Sequence, residues 1–391
     1  MNAENDLILS ILRQLASGVE NKPILILPNK TPLSWDKIKL LLLEHDIAPF
    51  IRPILDDLNT PIPQEIKEFL KYSYYSTFVR NFILYHEFIN IASVFAQESI
   101  ALVPIKGMAF IQDIYTQSHP RSMVDMDLLV KEEDFPRAQK VLEKYSYEKY
   151  LEGLLESYWR NNQCHIAFRK NTSKGPKSIH IDLHWALDFK RKNRAILPRI
   201  WERLRKIKVD GHMITILSPE DNLFSLALHQ RRFGKIINLK YALDTALILG
   251  KYGDFDWDYV IRESRQGKMR SSVFFLLSQA EYFMGTKIPP KVRSALGVSP
   301  FKQKIIRDFI SKNAFGASDK NNLKKAYLSS HFLLYDSLGE PIKYILKIPQ
   351  EQFAKFYGLD PYSKQTRFYY NNRIWYILFR SIKNLRDKLR A

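Results

Sequence analysis

The sequence has 391 residues, 46% hydrophobic and 13% aromatic, with a formal charge of +19, so it can bury sizeable cores in two or three domains. That charge attracts anionic partners such as nucleotides, nucleic acid or a membrane surface, unless it is only a solvated, lysine-rich exterior. The single Cys164 excludes an internal disulfide and a zinc site built on several cysteines, which fits a reducing cytoplasm.

Leu7, Ile8, Ile11, Leu12 and Leu15 recur at helical spacing and predict an amphipathic helix at the start. Glu4 and Asp6 precede it, which argues against a secretory signal, and no uncharged apolar run reaches the length of a membrane span. The stretch from Pro23 to Pro32 reads as a break. Ser34 then caps a helix running through Glu44, with a further short element over His45 to Leu58. Pro61 and Pro63 mark the next boundary, and a long helix is predicted from Gln64 to Gln97. Its aromatic stripe (Tyr72, Tyr74, Tyr75, Phe78, Phe82, Phe88) reads as core packing rather than base stacking.

The chain is organised around Ile105 to Val130. A strand-like run, Ala101 to Ile105, ends in Lys106-Gly107, and a helix-compatible segment follows from Met108 to about Tyr115. A polar turn, Thr116 to Pro120, leads to Arg121. Val124 to Val130 reads as a strand that carries Asp125 and Asp127 on one face and Met126 and Leu128 toward a core. Two adjacent carboxylates repel each other and invite a divalent cation, and Mg²⁺ is usually held by one or two carboxylates plus substrate phosphates.

Beyond this module a helix is expected over Glu132 to Lys144 and a short strand over Tyr147 to Tyr150. Strands are expected over Gln163 to Arg169 and Ser178 to Trp185. The loop Asn171 to Pro176 between these two suggests a hairpin that brings Asp182 beside Asp125 and Asp127. A helix is expected over Ala195 to Ile207 and a strand over His212 to Leu217. Ser218-Pro219 is a helix start. Helices follow at about Pro219 to Arg232, Lys235 to Leu249, Trp257 to Ser264, Arg270 to Met284 and Pro290 to Leu296. From Gln365 to Ala391 the chain is basic and aromatic. That tail could bind RNA, an acidic membrane or a protein, but burial of its aromatics against the helical region is preferred.

Lys106-Gly107, then Arg121 with Asp125 and Asp127, then Asp182-Leu183-His184-Trp185 together resemble the uncharacterised bacterial nucleotidyltransferase family of the DNA polymerase β-like superfamily. The likeness is sharp from Arg80 to Trp185, looser through Leu217 to Asp221 and His229, and fades beyond. It implies an α+β protein, with a small mixed β-sheet core at residues 96–217. An N-terminal helical region, residues 1–95, and a C-terminal helical region with a basic tail, residues 218–391, flank that core. It further implies transfer of a nucleoside monophosphate from a nucleoside triphosphate to an unidentified acceptor (a small molecule, a peptide or protein, or RNA), with release of pyrophosphate. The cofactor implied is Mg²⁺, with Mn²⁺ as a substitute.

In-line attack on an α-phosphate can use two metal ions that clamp the attacking and leaving oxygens. Asp125 and Asp127 are assigned as ligands bridging both ions and Asp182 as the third ligand, which the resemblance also suggests as general base. Gly107 would let a phosphate approach the backbone and Lys106 would add a point charge, whereas Met108 replaces the small hydroxyl residue common in the superfamily. Arg121 either holds a triphosphate oxygen or pairs with the carboxylates. His184 binds a phosphate, orients a carboxylate or is structural. His180 and His229 carry less weight, and the Arg80-Asn81 pair is family-like without an assigned role. Lys240 and Asp244, one turn apart, read as a surface ion pair. The rival functions are a catalytically silent nucleotide-binding or antitoxin-like module and a charge-driven RNA-binding protein.

Overall fold

The computed structural model describes residues 3–17, 33–56, 61–115, 120–172, 177–189, 197–233, 237–313, 315, 332–376 and 379. The expected break before Pro32, most of the turn before Arg121, the tip of the loop after Asn171 and the end of the basic tail lie outside these residues.

The chain is an α+β protein. It opens with α1 (Ala3–Ala16), α2 (Trp35–His45), α3 (Ala48–Asp56) and the long α4 (Gln64–Gln97). The central region runs β1 (Val103–Pro104), α5 (Gly107–Asp113), β2 (Met126–Leu129), α6 (Phe135–Lys144), β3 (Glu148–Tyr150), α7 (Glu156–Asn162), β4 (His165–Asn171) and β5 (Ser178–His184). Then come α8 (Leu197–Glu202), β6 (Arg205–Val209), β7 (His212–Ile216), α9 (Pro219–Phe233), α10 (Leu239–Lys251), α11 (Trp257–Gln266) and α12 (Arg270–Met284). The chain continues through α13 (Pro290–Ala295), α14 (Pro300–Asn313), α15 (Gly339–Leu346), α16 (Gln350–Tyr357) and α17 (Lys364–Asn371).

Five strands form a mixed sheet in the order β1-β2-β5-β4-β3. β2 and β5 are parallel, and the remaining pairs are antiparallel. Alternation sets the two faces of the sheet. Met126, Leu128, Ile166, Phe168, Ile181 and Leu183 pack with Phe88, Ile91 and Phe95 of α4 and Phe135 and Leu142 of α6. Asp127, Asp182 and His184, which alternate with these residues, fall on the opposite side. A second apolar core joins the N-terminal helices to the C-terminal ones: Leu7, Ile11 and Leu12 share it with Leu243, Phe274 and Leu277. Leu129 of β2 and Phe110 of α5 reach into the same core, so the helical body closes over the carboxylate face of the sheet.

Several expectations are corrected. The strand around the paired carboxylates starts two residues late: the β2–β5 ladder begins at Met126 opposite Ile181, and Asp125 lies in a bend just before it. The helix expected over Ala195 to Ile207 stops at Glu202, and Arg205–Val209 pairs with His212–Ile216 as a hairpin. Its turn is Asp210-Gly211, both at positive φ (46° and 84°), as a two-residue hairpin turn requires.

Of the aromatic stripe of α4, only Phe88 is core. Tyr72, Tyr75, Phe78 and Phe82 are exposed, while Ile66, Leu70, Leu84, Phe88, Ile91 and Phe95 are buried. The buried set repeats at three, four and seven residues, the helical period, and the tyrosines fall off that face. The described part of the basic tail divides. Tyr370 and Tyr376 pack edge-on against Phe353, but Phe368, Trp375 and Phe379 stand exposed. Among the described residues no helix is long and apolar enough to cross a membrane.

Candidate active site

The parallel β2–β5 register sets Asp127 directly opposite Asp182. One strand further, the antiparallel ladder sets His165 opposite His184. Four polar side chains therefore converge on one patch of sheet. His184 Nε2 lies 2.8 Å from Asp127 Oδ1, and His165 Nε2 lies 3.3 Å from Asp182 Oδ2. Donor atoms of Asp127, Asp182 and His184 all lie within 4.8 Å of one another.

Lys106 completes the patch. Its ammonium donates to Asp127 Oδ1 and sits 3.2 Å from His229 Nδ1, on α9. The lysine occupies the tight turn from β1 into α5 at φ 53°, ψ −124°, a region that costs a residue with a side chain about 1–3 kcal/mol. The clamp on its ammonium holds it there. Burial alone would push the Asp127 carboxyl up, but Lys106 and the imidazoles of His184 and His229 more than offset this and hold it well below the usual range. Asp125 behaves oppositely. Burial and then the charge of Asp127 push it up to about 6, against the opposing pull of Lys106 and Lys240. One carboxylate is thus firmly ionised beside another that takes a proton readily.

Arg121 does not reach the carboxylate patch. Its guanidinium is buried and binds Asp244 of α10 through two bonds of 2.8 Å. Tyr115 donates to the same carboxylate at 2.6 Å. Asn81 of α4 donates to the Arg121 carbonyl at 2.9 Å. Ser122 donates to Asp46 at 2.6 Å, and Lys240 lies 2.5 Å from the same Oδ2. The expected surface pair of Lys240 and Asp244 is therefore replaced by two separate anchors, because Asp244 faces inward and is fully buried. Together they fasten the segment that leads into Asp125. Arg80 is exposed, and His180 sits away from the cluster, 2.8 Å from Ser178 Oγ.

Gly107 has a steric reason distinct from phosphate access. A Cβ there would stand 2.9 Å from Arg121 Nη1 and 3.1 Å from Met123 Cβ. Asp244 pins that guanidinium, so it cannot give way. Gly107→Ala is expected to destabilise the fold by about 1–3 kcal/mol, the usual cost of overpacking a close contact, read as a shifted urea midpoint with unchanged slope.

Sequence reasoning missed His165, Asp46 and the inward turn of Asp244. His165 was within reach: once the hairpin register is fixed by Asn171 opposite Ser178, His165 must face His184. Asp46 and Asp244 gave no local signal, since their partners lie 76 and 123 residues away.

The family model described as "Uncharacterised nucleotidyltransferase" matches residues 31–285, more than half of the chain and all of the patch. No curated protein matches. Among solved structures, an antigenic nucleotidyltransferase-like protein from Paracoccidioides brasiliensis is similar at 12% identity and a TM-score of 0.32. That match covers 55% of this chain and 91% of the other.

Proposed function

Because the chain belongs to the uncharacterised nucleotidyltransferase family, we propose that it is a polymerase β-like enzyme that transfers a nucleoside monophosphate from a nucleoside triphosphate to an acceptor hydroxyl. The observation that carries this reading is the β2–β5 register, which sets Asp127 and Asp182 abreast with Asp125 at the mouth of the same strand. Carboxylate oxygens of Asp127 and Asp182 lie within 4.8 Å of each other and of a His184 nitrogen, where the Lys106 ammonium already shows that positive charge is drawn, and carboxylates suit a hard cation. Asp125, Asp127 and Asp182 would hold Mg²⁺, which supplies charge neutralisation at the transferred phosphoryl group.

The chain's own residues do the rest. Lys106 lies at the entrance to α5, where it can donate to a phosphate oxygen without leaving the patch. Asp182, a fifth exposed (20%) and oriented by His165, takes the acceptor's proton. The acceptor oxygen then bonds the α-phosphorus as the bond to the pyrophosphate oxygen breaks. Arg121, locked on Asp244, positions the Asp125 segment rather than touching the triphosphate.

Calorimetry with each of the four common nucleoside triphosphates, with and without Mg²⁺, tests this on the wild type and on Asp125→Asn/Asp127→Asn. The expected result is metal-dependent binding that the double variant loses, followed by transfer of labelled monophosphate in an acceptor screen. Metal-dependent binding without transfer to any acceptor would favour a nucleotide-binding module. Steeply salt-dependent RNA binding that ignores Asp125 would favour charge-driven association.

The same binding should depend on pH. Asp125 loses its charge as pH falls through about 6, and cation ligands must be deprotonated, so affinity should fall by up to about tenfold per pH unit below that point. The sign is weaker binding in acid, and Asp125→Asn should flatten the profile at its low-affinity end.

A further inference from the structure

We propose that Cys164, His165 and His184 form a second metal site, behind the carboxylates, for a thiophilic divalent ion of the zinc type. Cys164 Sγ lies 3.8 Å from His165 Nδ1 and 4.0 Å from His184 Nδ1. All three donor atoms fall within 4.8 Å of one another, and all three residues are buried. The two rings are 4.8 Å apart and tilted by 32°.

The contacts of the rings set which nitrogen faces the thiol. Each imidazole turns Nε2 to a carboxylate, His184 to Asp127 and His165 to Asp182. The Asp127 carboxylate accepts from His184, so Nε2 carries the proton in that ring. Both Nδ1 atoms face the Cys164 sulfur. A metal ion between them would bind the thiolate and both nitrogens together, with the thiol proton released to solvent. The ring-to-carboxylate bonds are the outer-shell arrangement that orients metal-bound histidines.

One thiolate and two imidazoles suit zinc, which bonds sulfur at about 2.3 Å and nitrogen at about 2.0–2.1 Å in a tetrahedron. They do not suit Mg²⁺, which takes oxygen. Three protein donors leave a fourth tetrahedral position for water. An ion here would hold both rings, and through them Asp127 and Asp182, in fixed orientation. This site stands on Cys164 and the inward nitrogens, so it is independent of whether the carboxylate face transfers nucleotides.

Co²⁺ titration of the full chain, stripped of metal, tests it. One equivalent should produce a thiolate-to-cobalt charge-transfer band in the near ultraviolet with tetrahedral visible bands. Zn²⁺ should bleach these bands and excess Mg²⁺ should not. Cys164→Ser should abolish the charge-transfer band, and His165→Gln should weaken Co²⁺ binding by at least about tenfold. Absence of the band from folded wild type, its survival in Cys164→Ser, or its displacement by Mg²⁺ would overturn the proposal. The wild-type spectrum alone decides the matter if a variant does not fold.

Discussion

Asp182→Asn should lower monophosphate transfer by on the order of 10²–10⁴-fold, the range for loss of a positioned general base, with a smaller loss of stability than Asp127→Asn. The Asp182 side chain is 20% exposed and pairs with His165 at 3.3 Å, and an asparagine oxygen still accepts that N–H. Neutralising this partly buried contact should cost less than neutralising Asp127 against Lys106. Asp127→Asn should abolish transfer too, for a different mixture of reasons. Asp127 is buried and takes both the Lys106 ammonium and the His184 imidazole. Removing its charge leaves the ammonium buried without its counter-charge, a loss of about 3–5 kcal/mol when one partner of a buried pair is removed. Labelled transfer alongside urea unfolding separates the two variants. Near-wild-type transfer by folded Asp182→Asn would remove Asp182 from the proton-transfer role and leave the acceptor hydroxyl without a base on this sheet.

How much of this was readable in the sequence varies by element, and the reason is distance along the chain. The α4 boundaries, Gln64 and Gln97, are set by local punctuation: prolines before and a turn after. Ser218 caps α9 as expected, its hydroxyl accepting from the Asp221 amide at 3.1 Å. The pairing of Asp127 with Asp182 followed from alternation and one turn-rich loop. The Asp210-Gly211 hairpin was legible and was overridden by a helix-like run before it, although Asp-Gly between alternating apolar residues is a strong hairpin signal. The α4 tyrosines show the opposite failure. Composition alone suggests core, but only the period of the buried set tells which helix face the sheet covers. The anchors Asp46 and Asp244, joined to residues 121 and 122 across the whole fold, leave no periodic or spacing trace at all.

The second large effect concerns those anchors. Arg121→Ala is expected to cost about 3–5 kcal/mol, because it leaves the fully buried Asp244 carboxylate without the guanidinium that pairs with it. Arg121→Lys should recover little of this. An ammonium is a point charge and cannot make the paired 2.8 Å bonds of a planar guanidinium. Arg121→Met/Asp244→Leu should be markedly more stable than Arg121→Ala, since replacing both members of a buried pair by apolar residues is often near neutral. Tyr115 would then lose its acceptor, which sets a residual cost of about 1–3 kcal/mol. Urea unfolding of the four proteins measures this directly. The same set reports on function. If Arg121 only positions the Asp125 segment, the apolar pair should lower kcat with little change in the KM for the nucleotide. If the guanidinium instead holds a triphosphate oxygen, the loss should appear mainly as a raised KM, and the burial of Arg121 against Asp244 argues for the first result.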